Sequence, residues 1–573
     1  MIRAHTATTG LVLGLLVVGI GLGPALGPTP ARGQDAGGAS QPAAKKDADD
    51  AIFRALQDEL ERAKTLKMKD LDRPYYLAGF VNDDTTYSCS ASFGAITRKG
   101  GGRTASASVN VRVGTPKLDN TNFSSFGFSG GFGSATPSDP DYDALRQSLW
   151  LAFDSEYKSA AQAISKKRAY LASNTVKKRL PDFSASKVTT LVLPRKELKV
   201  DRDAWTQTVK DVSAVFRDYP FVQSSSASFH VNVAHQYFVS SDPARHRFPI
   251  ETATFQISAR SQCDDGMSVS ANWSRLTKTP GDLPTRAELV KRAREVAGKL
   301  KALREAPTAE DYWGPVLFTG DAAAEFFVKT LADPLSDCRQ ELGSSSGGRL
   351  VDRMGRRIAS RALTLRDDPT QTTWNGHPLL GYFPIDDDGV LPEPITLVDK
   401  GFLRNHFMSR IPTKFHKTTN GHSRAGSGSS GNLFVEASET VPLSTLQAKL
   451  LELAKVEDLD YGLVVEEMGG SGGGYSFSFG GSRGVSLPRP TYCYKLYADG
   501  RKQVIRGAAF LQSSYRVLRD IVAFGDDAAV TNLQQMGQLV SVVAPSVLIG
   551  ELELRSPQQE FSKPPYSPRP DMK

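Results

Sequence analysis

The chain has 573 residues, 40% of them apolar and 23% charged, with a net charge of +8. Those proportions are those of globular material and exclude a disordered chain or a multispan membrane protein, while the length exceeds what one core supports and implies two domains. The positive charge is spread along the chain rather than gathered into a Lys/Arg run, and no nucleic-acid motif is present, so no nucleic acid is expected as a partner.

At the N-terminus, Arg3 and His5 precede an apolar run over residues 10–23 that Pro24, Pro28 and Pro30 interrupt. That is the layout of an export signal. The run is short for a spanning helix, no Cys follows it to take a lipid, and Arg3 has no twin, although an uncleaved anchor stays open as the other reading. We assign residues 1–33 to the signal and 34–50 to a polar linker, and expect the protein in the periplasm or outside the cell. Export permits disulfides. Cys89, Cys263, Cys338 and Cys493 lie far apart without a CxxC spacing, which argues against a zinc knuckle. A Cys89–Cys263 pair and free buried thiols are both open.

Ile52, Phe53, Leu56, Leu60 and Leu66 recur at helical spacing and predict an opening helix, followed by a strand over residues 74–81. Alternation over 104–114 predicts a half-buried strand, and the Gly/Ser/Phe-rich stretch 124–133 a loop. Leu145, Leu149, Phe153, Tyr157 and Ile164 mark a long helix over 141–173, with strands expected at 229–233, 237–239 and 254–257. Thr285-Arg-Ala-Glu288 reads as a capping box that opens a helix ending before Pro307. Gly320 to Leu335 reads as a short helix, and Ser444 to Gln447 as the capped start of another. A strand at 461–465, a glycine run at 469–474 and a strand at 475–479 follow. The fold class is therefore α+β: a mixed N-terminal domain over 51–307, a β-rich C-terminal domain over 308–556, and a disordered Pro-rich tail over 557–573.

The residues alone offer little chemistry. No histidine carries HExxH spacing, and His230 and His235, five apart in a strand, point to opposite faces. Asp386-Asp-Asp-Gly389 lacks the ordered carboxylates of a calcium loop and reads as a polar turn. No GxSxG elbow or phosphate-cradling loop appears.

Dispersed segments nevertheless occur in a telling order. They are Pro74-Tyr-Tyr, Val111-Arg-Val-Gly114, Leu118-Asp-Asn-Thr121, Tyr142 to Trp150, and Tyr237 to Asp242 in the first half. The second half adds Gly314 to Gly320, Asp367-Asp-Pro369, Asp387-Asp-Gly-Val390, Lys400-Gly-Phe-Leu403, Asn420-Gly-His-Ser-Arg424 and Ile505-Arg-Gly507. With them the chain resembles the TldD/PmbA family of zinc-dependent peptidases.

The resemblance implies that the helix at Gly320 falls where active members carry HExxxH, whose two His ligands and Glu base hold zinc and activate water. Here the His-Glu positions fall on Phe327 and Val328, the second His on Ala332, and Leu331 stands where a small residue would let the helix relax. A further Cys ligand would follow a Gly-Asp-Asp-like segment, yet no cysteine follows Gly525-Asp526-Asp527. Phe, Val and Ala have no lone pairs for a cation. We therefore expect no metal and no cofactor, buried Phe326, Phe327 and Leu331, and Glu325 facing solvent or capping a strand edge.

Because the family is said to work in pairs around a peptide chamber, the resemblance implies a peptide as ligand and a homodimer or a heterodimer with a subunit whose HExxxH is intact. Asn420, Gly421 and His422 are the candidate substrate-binding residues, and no catalytic residue is assigned. The glycine runs near Gly130 and Gly472 read as flaps or as plain loops. Two other functions stay open: an active peptidase with a metal on His416, His422 and an acidic residue, and a secreted interaction protein on a peptidase scaffold.

Overall fold

The computed structural model describes residues 50–573 except 70, 124–140, 177, 337–338, 344–349, 470–484, 536, 558–560 and 562–573. The export segment and linker up to residue 49, the loop at 124–133, Cys338, the glycine run beyond Gly469 with the strand at 475–479, and all of the tail but Pro557 and Phe561 lie outside the described residues. From Asp50 onward the described chain clusters as one compact unit.

The first half is built on a long hairpin, β1 (Pro74–Ser92) and β2 (Ala95–Thr115). Phe93 and Gly94, at φ +47° and +84°, form a two-residue turn whose twist matches the strands. That turn sets the register, so Lys99 to Arg103 pair with Cys89 to Thr85 and β2 begins nine residues before the alternating stretch predicts. β3 (Leu118–Asp119), β4 (Thr190–Val192), β5 (Ser224–Ser240), β6 (Arg245–Gln262) and β7 (Ser268–Thr277) complete a seven-stranded sheet, ordered β3-β2-β1-β5-β6-β4 with β7 beside β6. β5 is one continuous strand where the sequence suggests two.

One face of this sheet carries the helices. Leu77, Val81, Tyr87 and Cys89 of β1 share a pleat face, as residues two apart must. Against Leu77 and Val81 pack α1 (Ala51–Ala63), capped by Asp50, and α2 (Tyr142–Ser173), capped by Asp141. Against Tyr87 and Cys89 pack α3 (Arg202–Ala214) and α4 (Arg286–Glu305). The Thr285 capping box forms with both of its hydrogen bonds, to and from Glu288. Phe561 also rests on this second core. Cys89 and Cys263 both lie in it as free thiols, and Cys493 is likewise buried and free. The opposite face presents Tyr76, Ala78 and Phe238, which pack with Phe183 and Ala244.

Among the described residues the second half holds two large sheets and two short ribbons, Thr373–Trp374 with His377–Pro378 and Ser423–Arg424 with Ser427–Gly428. One large sheet is ordered β11-β10-β9-β12-β19-β18, from β9 (Leu363–Asp367), β10 (Ile395–Asp399), β11 (Phe402–Leu403), β12 (Asn432–Ala437), β18 (Ala529–Gln535) and β19 (Gln538–Ala544). The other is ordered β15-β14-β13-β8-β20-β16 with β17 beside β20. Its strands are β8 (Tyr312–Phe318), β13 (Tyr461–Met468), β14 (Pro490–Tyr497), β15 (Lys502–Ile505), β16 (Ala509–Phe510), β17 (Ile521–Phe524) and β20 (Val547–Arg555). The largest core lies between these sheets. α7 (Leu443–Val456) covers the outer face of the second through Leu446 and Leu450. It starts at Leu443 behind Pro442 with no side-chain cap, so the predicted box at Ser444 does not form; Pro442, which fixes its own φ, begins the helix instead. The α+β class is as the sequence predicts. Among the described residues no helix is long and apolar enough to cross a membrane.

Candidate functional site

The chain leaves β8 at Thr319, whose N–H donates to Val465 O at 3.0 Å, and turns at Gly320, φ +54°. α5 (Gly320–Phe327) follows, with Ala322, Ala323 and Ala324 buried. Over Val328–Ala332 the chain then winds as a π-turn, in which Asp333 N–H reaches back five residues to Val328 O, before α6 (Asp333–Ser336). The cause is local. Pro334 has no N–H to offer Thr330 O, and the Thr330 hydroxyl donates to Phe326 O at 2.7 Å, so the four-residue ladder is broken from both sides. The π-turn thus forms even with Leu331 at the position that resemblance reserves for a small residue.

Phe327, Val328, Leu331 and Ala332 are all inside the large core, and Phe327 meets Phe326 edge-on at 5.3 Å. Imidazole and carboxylate positions of the family motif are therefore filled by hydrocarbon, and these residues do not fit a metal ion. Among the described residues no group of three or more His, Cys, Asp or Glu side chains is placed to hold one. Glu325 departs from its expectation. It is neither solvent-facing nor a strand-edge cap: Oε2 is buried without a hydrogen bond, and a Cβ at Gly469 would stand 3.3 Å from it. Burial pushes its pKa up to about 7.

Elsewhere, segments far apart in sequence converge on one polar junction. His422 is fully buried; its Nδ1 lies 3.0 Å from Asn420 O and 3.1 Å from Asn420 Oδ1, and its Nε2 3.2 Å from Asp367 Oδ2. Asp367 also accepts from Gly431 N–H, and burial raises its pKa. Asn420 is engaged twice more, accepting from Met408 N–H and donating to His406 O. Gly421 sits at φ +73°, where a Cβ would stand 2.3 Å from Leu391 O, so only glycine fits. The three predicted binding residues are thus brought together, Gly421 and His422 buried and Asn420 half-buried, and His422 presents no surface of its own. His416 is apart from them, its ring 4.8 Å from that of His406.

Sequence reasoning passed over Asp386, Asp387 and Arg424 as site residues. Asp386 is buried and accepts from Asp388 and Val390 N–H through Oδ1 and from Ser423 N–H through Oδ2. Burial and neighbouring Asp388 raise its pKa well above the carboxylate range. Asp387 accepts from Ala425 N–H at 2.6 Å, and burial pushes it up to about 6. Arg424 is 8% exposed, stands over the Phe383 ring at 4.9 Å, and is pushed down to about 10 by burial. Two acids with a following arginine in a Gly-rich context was the available signal. What it lacked was any hint that residues 367, 386 and 424 meet.

Residues 311–556 match the model of the PmbA/TldA metallopeptidase C-terminal domain. Over those residues the chain carries the C-terminal domain of the TldD/PmbA family. No curated protein matches it. Solved structures agree in fold across most of the chain. A Thermotoga maritima protein described as a candidate modulator of DNA gyrase is 15% identical with a TM-score of 0.56, covering 89% of this chain and 100% of its own. TldE from Thermococcus kodakarensis is 14% identical, TM-score 0.56, covering 88% and 100%. A Bacteroides thetaiotaomicron protein, likewise described as a candidate gyrase modulator, is 13% identical, TM-score 0.56, covering 89% and 99%. At such identities the likeness speaks for the fold alone.

Proposed function

We propose that this TldD/PmbA member is an exported, non-catalytic subunit that binds peptide, alone or beside a related subunit whose HExxxH is intact. The observation that carries this reading is the set Phe327, Val328 and Ala332, all core residues on a π-turn. The backbone keeps the five-residue turn that a HExxxH spacing suits, while the side chains provide no electron pair for zinc. Extended peptide can add to a sheet by main-chain hydrogen bonding, and β15 and β18 stand last in their sheet orders. Export rests on the apolar N-terminal run.

The test is elemental analysis of the purified protein together with incubation against a broad peptide pool, with and without added zinc. Zinc far below one ion per chain and no cleavage are expected. One tightly held zinc per chain, or cleavage abolished by a chelator, overturns the reading.

A further inference from the structure

Among the described residues only one guanidinium nitrogen of Arg424 is engaged. Nη1 donates to Ser430 O at 2.8 Å and Leu539 O at 2.7 Å, whereas Nε and Nη2 bond to nothing among the described residues and are not sealed from solvent. A guanidinium this deep without an ion-pair partner is costly. Asp367 and Asp387 compensate it only through space, since Asp367 is held by His422 and Gly431, and Asp387 by Ala425.

Arg424 lines a cavity of about 20 Å³ between the two halves of the chain, with Gln236 and Phe248 from the first and Tyr382, Asp387 and Gln538 from the second. That volume admits one or two water-sized groups, the head of a carboxylate but not a side chain. Tyr382, which also lines the cavity, is 40% exposed. The two main-chain carbonyls on Nη1 and the Phe383 ring fix the plane of the fork.

We propose that this cavity is a carboxylate site in which Arg424 takes the C-terminal carboxylate of a bound peptide. The proposal rests on the peptide-binding reading and deepens it by naming the group recognised. A planar fork with two free donors pairs with both oxygens of a carboxylate, a charge-assisted bidentate pair, and the size of the cavity suits that small head. Asp387 sets the pH dependence. It faces Arg424, which favours its ionised form, and Asp388, which opposes it, and it repels Asp386 in turn, with Ala425 N–H bonded to it and Gln236 and Gln538 neutral beside the cavity. A second carboxylate entering there keeps a proton on Asp387, so affinity strengthens as pH falls through about 6.

Binding of fluorescent pentapeptide pools, one with free C-termini and one with C-terminal amides, tests this on the full chain. The acid pool should bind on the order of tenfold more tightly than the amide pool. That gap should close in Arg424→Gln, whereas Asp387→Asn, which still accepts from Ala425, should keep the gap and lose its pH dependence. If Arg424→Gln does not fold, the pool comparison and Asp387→Asn carry the test on their own. Equal binding of the two pools overturns the proposal and leaves peptide binding standing; binding of neither overturns both. Competition by acetate with no difference between the pools assigns the cavity to small free acids and overturns the peptide terminus.

Discussion

His246 and His406 show how position redefines a residue whose type is plain in the sequence. His246 is buried, stacks on Phe238 at 4.8 Å, and has no partner for Nδ1; His406 is buried against His416 with its Nδ1 equally unbonded. Burial pushes both pKa values down to about 3. Because the folded values lie below the unfolded one, this stabilisation is complete above pH ~6.5 and is lost as pH falls toward 3. At pH 5 each histidine costs about 2 kcal/mol. His246→Phe should therefore recover about 2 kcal/mol at pH 5 and change little at pH 7.5, read from urea unfolding at both values. Eight histidines were countable from the sequence, but burial depends on which strands stack over them. His246 is buried because Phe238 of the adjacent strand lies over it.

Among the elements, α5 and its π-turn decide most. Phe327 is completely buried between the sheets. Phe327→Ala should lower unfolding free energy by about 3–5 kcal/mol, measured in denaturant, a cost expected of a core aromatic and not of a metal-site position facing a cleft. The helix itself was legible, since apolar residues and Gly320 bound it. Its π-turn was not, because Pro334 and the Thr330 hydroxyl act together and neither alone dictates a five-residue bond. The Thr285 box was readable because both partners lie within four residues. The Ser444 box failed for the complementary reason: a preceding proline started the helix two residues early, with Pro442 in the cap position. β2 shows a third case, where the hairpin turn imposes pairing on a Gly-rich stretch that has no strand pattern of its own.

At the scale of the molecule, Arg410 joins the halves. Its Nε donates to Ser184 O at 3.0 Å, its carbonyl accepts from Ser184 N–H at 2.9 Å, and its guanidinium lies 4.1 Å from the Phe183 ring centre. Asp242 is 2.7 Å away as an ion pair without hydrogen-bond alignment. Thr189 N–H bonded to Gly389 O at 2.8 Å adds a main-chain link beside it. Arg410→Ala should cost about 3 kcal/mol, because it strips a buried cation from aromatic and main-chain partners, and should split a single calorimetric transition into two. A single transition at an unchanged temperature would show the halves to be held by apolar packing alone.

Local patterns determined what neighbours in sequence can settle by themselves. They set the α+β class, the long helices with their caps, and the absence of lone-pair donors at residues 327, 328 and 332. The tertiary structure alone decided that residues 367, 386, 387 and 420–424 meet at one junction, that Arg410 bridges to residues 183, 184 and 242, that His422 is interior, and that Glu325 is half-buried. Spacing along the chain fixes the face on which a side chain points, but its partners, its solvent and therefore its proton affinity come from segments hundreds of residues away.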